Sequence, residues 1–121
     1  VRKRNYNNVH ILGFSNEVNK LLSISDMVIT KPGGLNVTEC LEMKKPMLLI
    51  SGNGGQERYN ARFVCKNGYG INCKRVRKLT KTVGRLLTHE NILNNMYKRL
   101  NKYEKNNSVE KIYQLTDKMM R

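Results

Sequence analysis

Short apolar runs alternate with helix-patterned stretches through the first 73 residues, and this alternation constrains the fold more than any other feature of the chain. Residues 9–12 (VHIL) read as a strand ended by Gly13. A helix is expected at 15–25, where Ser15 can cap and Val18, Leu21 and Leu22 share one stripe. A strand at 26–30 (DMVIT) leads into a helix at 34–44, with Val37, Cys40 and Leu41 on the packed face. The third strand, 46–50 (PMLLI), has no polar alternation, as expected for a strand buried on both faces. A loop at 51–55 precedes a helix at 56–67, with Tyr59, Phe63 and Val64 inward and Gly68 as its C-terminal stop. A weaker strand follows at 69–73. Such a series predicts βαβ units, hence an α/β fold with a parallel, Rossmann-like sheet and flanking helices. The connections are too short to be other than right-handed crossovers.

Beyond Cys73 the strand signals stop. Leu79, Val83, Leu86 and Leu87 make one helical stripe, and Ile92, Leu93, Met96, Tyr97 and Leu100 make a second. Asn106, Asn107 and Ser108 interrupt the pattern, and Ser108 can cap a last helix carrying Ile112, Tyr113, Leu115 and Met119. The chain therefore divides into a βαβ core at 9–73 and C-terminal helices at 74–121. Its 121 residues suffice for one compact domain.

The net charge of +14 favours anionic partners: nucleic acid, acidic lipid head groups or phosphorylated small molecules. Trp is absent, aromatics are 7% of residues, and no motif interleaves them with the basic runs, which argues against a nucleic-acid module. No apolar run approaches the roughly 20 residues that span a bilayer. The basic N-terminus lacks the apolar region of a signal peptide. Cys40, Cys65 and Cys73 follow no metal-ligand spacing, and His10 and His89 complete no cluster with them, so three reduced thiols and no metal site are expected.

In an open parallel sheet, ligands bind beyond the carboxyl ends of the strands. The glycine-bearing loops at 31–34 and 51–55 both follow strands and both lead into helices, so they share that edge. A helix start presents unpaired N–H groups and the positive end of a dipole, and glycine lets an anion approach. Gly33 and Gly34, with the N–H groups of Leu35 and Asn36, form a candidate phosphate cradle, although neither loop is a Walker A or GxGxxG motif. Glu39 would repel phosphate but suits a ribose diol one sugar away. Gln56, Glu57 and Asn60 cluster at the second loop–helix junction and suit a polyhydroxylated ligand such as a hexose. Each feature also has a plainer reading: a tight turn for the glycines, a solvated helix residue for Glu39, ordinary first-turn residues for Gln56 and Glu57.

The segments DMVITKPGGLNVTECLEMKKPMLL and GGQERYNARF resemble the C-terminal half of family 28 glycosyltransferases. These enzymes include the N-acetylglucosaminyltransferase of peptidoglycan precursors, monogalactosyldiacylglycerol synthases and processive diacylglycerol glucosyltransferases. Lys-Pro-Gly-Gly at 31–34, Glu39, Pro46 and Gly-Gln-Glu…Asn at 55–60 look closest to the diacylglycerol branch. The resemblance implies the donor-binding C-terminal half of a GT-B fold, N-terminally truncated. It implies Glu39 on the ribose, backbone at Gly34, Leu35 and Asn36 on the diphosphate, and Gln56, Glu57 and Asn60 toward the hexose. Phe14 and Ser15 would border the uracil, and Lys31 would sit near phosphate or anchor the loop. The donor would be UDP-glucose or UDP-galactose, with no cofactor and no metal. The acceptor would be a lipid, diacylglycerol foremost, met at the anionic inner face of the cell membrane by a cytoplasmic, peripheral enzyme. The family's candidate catalytic base lies in the N-terminal half, so this chain is expected to carry no catalytic residue and to be inactive alone. The alternatives are transfer of N-acetylglucosamine to a peptidoglycan lipid precursor, a UDP-sugar-binding subunit of a split transferase and, more distantly, a nucleic-acid-binding module.

Overall fold

A computed structural model describes residues 7–50, 54–104 and 117–118. Its elements run α1 (Val18–Ile24), β1 (Val28–Thr30), α2 (Gly34–Glu42), β2 (Met47–Ile50), α3 (Gly55–Lys66), β3 (Gly70–Cys73), a 3-10 turn (Val76–Lys78), α4 (Leu79–Thr88) and α5 (Glu90–Asn101). The three strands form one parallel sheet in the order β1-β2-β3. Val28 pairs with Met47, and Met47 with Gly70. The Rossmann-like α/β arrangement is thus the one the apolar runs predict. Since all three strands run the same way, Thr30, Ile50 and Cys73 end on one edge.

The central strand organises both layers. Met47 and Leu49 point into a core with Val37 and Leu41 of α2, Val64 of α3, and Leu100 and Tyr103. Leu48 points the opposite way, into a second cluster with Cys73, Leu86 of α4 and Met96 of α5. All three strand residues are almost fully excluded from solvent, which explains the unbroken apolar run. The helix α5 contributes to both clusters, Met96 to one and Leu100 to the other.

Two backbone sites fix how closely the elements approach. A Cβ at Gly70 would collide with the Met47 carbonyl, so only glycine lets β3 come against β2 at that register. Gly68, at φ +76°, takes the left-handed conformation just past α3 and ends that helix as expected. Lys44 takes the same left-handed conformation, at φ 56°, past α2. Its Nζ donates to the carbonyls of Leu100 (3.1 Å), Asn101 (3.3 Å) and Tyr103 (3.5 Å), closing the end of α5.

Several expectations require correction. No strand forms at 9–12: Ile11 is 78% exposed, and the segment is coil up to the start of α1. Apolar, β-prone side chains raise strand propensity, but a strand exists only where another pairs with it, and among the described residues none pairs with β1 on its outer side. The first helix begins at Val18 rather than Ser15, because the Ser15 hydroxyl accepts from the Glu17 N–H (3.0 Å) and closes a turn ahead of it. β1 is limited to Val28–Thr30. Tyr59 and Leu87, placed on packed faces by their spacing, are exposed instead. The helix expected around Ile112 to Met119 falls almost wholly outside the described residues.

Candidate functional site

The edge where the strands end carries the two helix starts. Gly33 is the N-cap of α2 (φ −68°, ψ 147°) and Gly54 the N-cap of α3 (φ −72°, ψ 142°), and neither glycine has a side chain to cap its helix. First-turn N–H groups of α2 at Gly34, Leu35 and Asn36 are therefore left without an internal acceptor. Neither N-cap φ demands glycine, because both lie in the region open to any residue. Nor does packing demand it. Among the described residues a Cβ at Gly33 would meet only Asn36 Nδ2 at 3.8 Å, one at Gly34 only Asn60 Nδ2 at 3.9 Å, and one at Gly54 nothing within 4 Å. The tight-turn explanation for these glycines loses its basis. What a side chain would obstruct is the space in front of the helix starts.

Asn60 joins the two helices. It lies in the second turn of α3, only 1% exposed, and its Nδ2 donates to the Pro32 carbonyl at 2.9 Å. The side chain is thus a buried brace between α3 and the loop before α2, rather than a group open to an incoming ligand. Pro32 itself is buried, while Lys31 beside it is exposed. The part played by Pro32 escaped the sequence reading, in which only its position before the glycine pair hinted at a fixed loop.

Glu39 stands one turn beyond Leu35 and Asn36 on α2, at i+4 and i+3, and so shares their face. That face opens to solvent: Leu35 is 74% exposed and Asn36 is exposed. The carboxylate of the half-buried Glu39 makes no hydrogen bond or ion pair among the described residues. Next to it, Cys40 is buried, and burial first, then the Glu39 carboxylate, pushes its thiol up to about 11. The thiol is therefore protonated and inert near neutrality. Cys65 is an exposed free thiol and Cys73 a buried one.

Gln56 is exposed and Glu57 half-buried in the first turn of α3. Residues 51–53 of the second loop lie outside the described residues. Phe14 is 95% exposed in the coil before α1. Among the described residues no hydrogen bond or core contact ties Phe14 or Ser15 to the α2–α3 edge. The edge thus gathers Gly33, Gly34, Leu35, Asn36 and Glu39 on α2 with Gln56 and Glu57 on α3, and leaves Phe14 and Ser15 apart. Among the described residues no cluster of His, Cys, Asp and Glu could hold a metal ion, and no helix is long and apolar enough to cross a membrane.

Residues 2–107 match the family model described as glycosyl transferases group 1. A processive diacylglycerol beta-glucosyltransferase of Bacillus licheniformis is 35% identical over 111 residues, covering 92% of this chain and 28% of that protein. Its Bacillus subtilis counterpart is 33% identical over 108 residues, covering 89% and 28%. The protein of the same name from Staphylococcus haemolyticus is 30% identical over 109 residues, covering 90% and 28%. The chain therefore spans little more than a quarter of the length of these relatives.

Proposed function

The chain belongs to the group 1 glycosyl transferase family, and on that premise we propose that it is the donor-binding part of an inverting hexosyltransferase acting on a membrane lipid. The observation that carries the proposal is the pair of glycine-led helix starts on one sheet edge, with the Glu39 carboxylate one turn below the first. Free N–H groups and a helix dipole suit a diphosphate; an unpaired carboxylate at i+3 and i+4 suits the hydroxyls of the adjoining ribose. Lys31, exposed beside the loop, adds positive charge there. Gln56 and Glu57 face the hexose, while Asn60 holds the α2 loop against α3. Phe14 and Ser15 border the uracil if the coil before α1 folds toward the edge.

As the acceptor hydroxyl attacks the anomeric carbon, negative charge grows on the departing diphosphate. The N–H groups of Gly34, Leu35 and Asn36 are already oriented for it, so their stabilisation needs no reorganisation. The base that takes the acceptor proton belongs to the partner half of the cleft. Diacylglycerol is the acceptor in the printed names of the relatives, and we extend it to this chain. UDP-glucose is the preferred donor on the same ground. The whole chain then serves as one partial donor-binding domain. Its charge of +14 suits work at an anionic membrane surface, on the cytoplasmic side where nucleotide sugars are made.

The test is titration calorimetry of the full-length protein with UDP-glucose, UDP-galactose and UDP-N-acetylglucosamine, repeated on Glu39→Ala. Loss of the two ribose hydrogen bonds should weaken every UDP-sugar by about 100-fold, each bond to a charged group contributing ~1.5 kcal/mol. Unchanged affinity on Glu39→Ala would remove the ribose assignment, and with it the nucleotide reading of this edge.

A further inference from the structure

The peptide between Pro32 and Gly33 is held in one orientation by a side chain from another element. Asn60, 1% exposed in the second turn of α3, donates from Nδ2 to the Pro32 carbonyl at 2.9 Å. The proline ring locks φ, so ψ is the one soft torsion left to Pro32. Gly33 has no Cβ and offers little steric resistance to rotation of the same peptide. Among the described residues the Pro32 carbonyl accepts from Asn60 alone. That bond therefore decides which way the peptide faces. Packing alone would be served by an apolar side chain, which has no polar group to desolvate.

The peptide is trans, so its N–H points opposite to its C=O. With the carbonyl turned to α3, the Gly33 N–H is turned away from it, and no acceptor meets that N–H among the described residues. The N–H of an N-cap residue lies within reach of the side chain three positions on, as the capping box requires. Here that residue is Asn36, whose Nδ2 stands 3.8 Å from the place of a Gly33 Cβ. The Gly33 N–H thus shares the front of α2 with the free N–H groups of Gly34, Leu35 and Asn36. Were the peptide turned over, a carbonyl oxygen would stand there instead and repel an anion.

We propose that Asn60 is a positioning residue for the diphosphate: by holding the Pro32 carbonyl, it keeps the Gly33 N–H facing the ligand as a donor additional to the first turn of α2. The inference rests on the donor reading above and adds to it what α3 does for the phosphates. Asn60 acts on the ligand only through the loop, and nothing in the arrangement touches the nucleoside. Its effect is therefore confined to ligands that carry phosphate.

NMR titration of the full-length protein with UDP and with uridine tests this. Asn60→Ala should weaken UDP at least about tenfold, the scale of one lost hydrogen bond to a charged group. Uridine should weaken less than about threefold, since its contacts lie beyond the loop. Equal losses for the two ligands would reduce Asn60 to a support of the fold, and no loss for either would remove its role altogether. Glu39→Ala, run beside it, should weaken uridine and UDP alike. If it weakens neither, the nucleotide reading fails and this inference with it; if it weakens both while Asn60→Ala does not separate them, this inference alone fails. A second pair of variants covers the case in which Asn60→Ala does not fold. Gly33→Pro deletes the N–H at a φ of −68° that proline already favours, and Gly33→Ala adds a Cβ but keeps the N–H. UDP should bind the proline variant at least about tenfold more weakly than the alanine variant. Equal affinity of the pair would overturn the Gly33 donor.

Discussion

The carboxamide of Asn60 donates to the carbonyl of Pro32 at 2.9 Å, joining α3 to the loop before α2 in a place closed to solvent. Removing it leaves a buried carbonyl unpartnered and frees one helix start from the other. Asn60→Ala should cost about 1–3 kcal/mol in urea denaturation, the penalty for stranding a buried polar group. The same variant should bind UDP more weakly although Asn60 does not touch it. Stability equal to the parent would show that the bond is not made in solution.

Gly34 separates fold from ligand. A Cβ there meets nothing closer than 3.9 Å, and alanine favours the first turn of a helix. Gly34→Ala should therefore stay within about 1 kcal/mol of the parent in stability, the span between glycine and alanine in helices. UDP-sugar affinity should fall at least about tenfold, because the methyl occupies the approach to the N–H groups. Retained affinity in a calorimetric titration would place the diphosphate elsewhere.

Lys44 combines a backbone cost with a side-chain gain. Its φ of 56° disfavours a Cβ, yet its Nζ reaches three carbonyls at the end of α5. Lys44→Ala keeps the strain and loses the bonds; Lys44→Gly loses the bonds and relieves the strain. The glycine variant should be the more stable of the two by about 1 kcal/mol, the penalty for an L-residue in that conformation. Chemical denaturation of the pair measures this directly, and the reverse order would contradict it.

The Cys40 thiol gives stability a pH dependence on the alkaline side. Its pKa rises from 9.0 in the open chain to about 11 in the folded one, through burial and then Glu39. Between those values the unfolded chain loses the proton first, so its contribution is full below pH 9 and disappears as pH climbs through 11. Cys40→Ala should flatten the decline in thermal midpoint across that window. An identical alkaline profile in the variant would show that other groups set it.

The core strands were readable because β2 is enclosed on both sides, which leaves an uninterrupted PMLLI in the sequence. Val37, Cys40 and Leu41 likewise betrayed the inner face of α2 by their spacing. Residues 9–12 misled because propensity is local and pairing is not. The glycine pair drew attention for the right location, but only the backbone angles and open space separated a ligand approach from a turn. Asn60 and Lys44 could not be read correctly at all. Their partners lie 28 and 56 residues away, and no periodicity encodes which carbonyl a side chain will reach.

The double allegiance of α5 sets a limit on dissection. Met96 completes one apolar layer, while Leu100 and the following Tyr103 complete the other. A shorter polypeptide stopping at His89 would strip apolar cover from the layers that hold Leu48 and Leu49, on opposite sides of the same strand. Any trimmed version intended for crystallography or ligand screening must therefore extend at least through Tyr103.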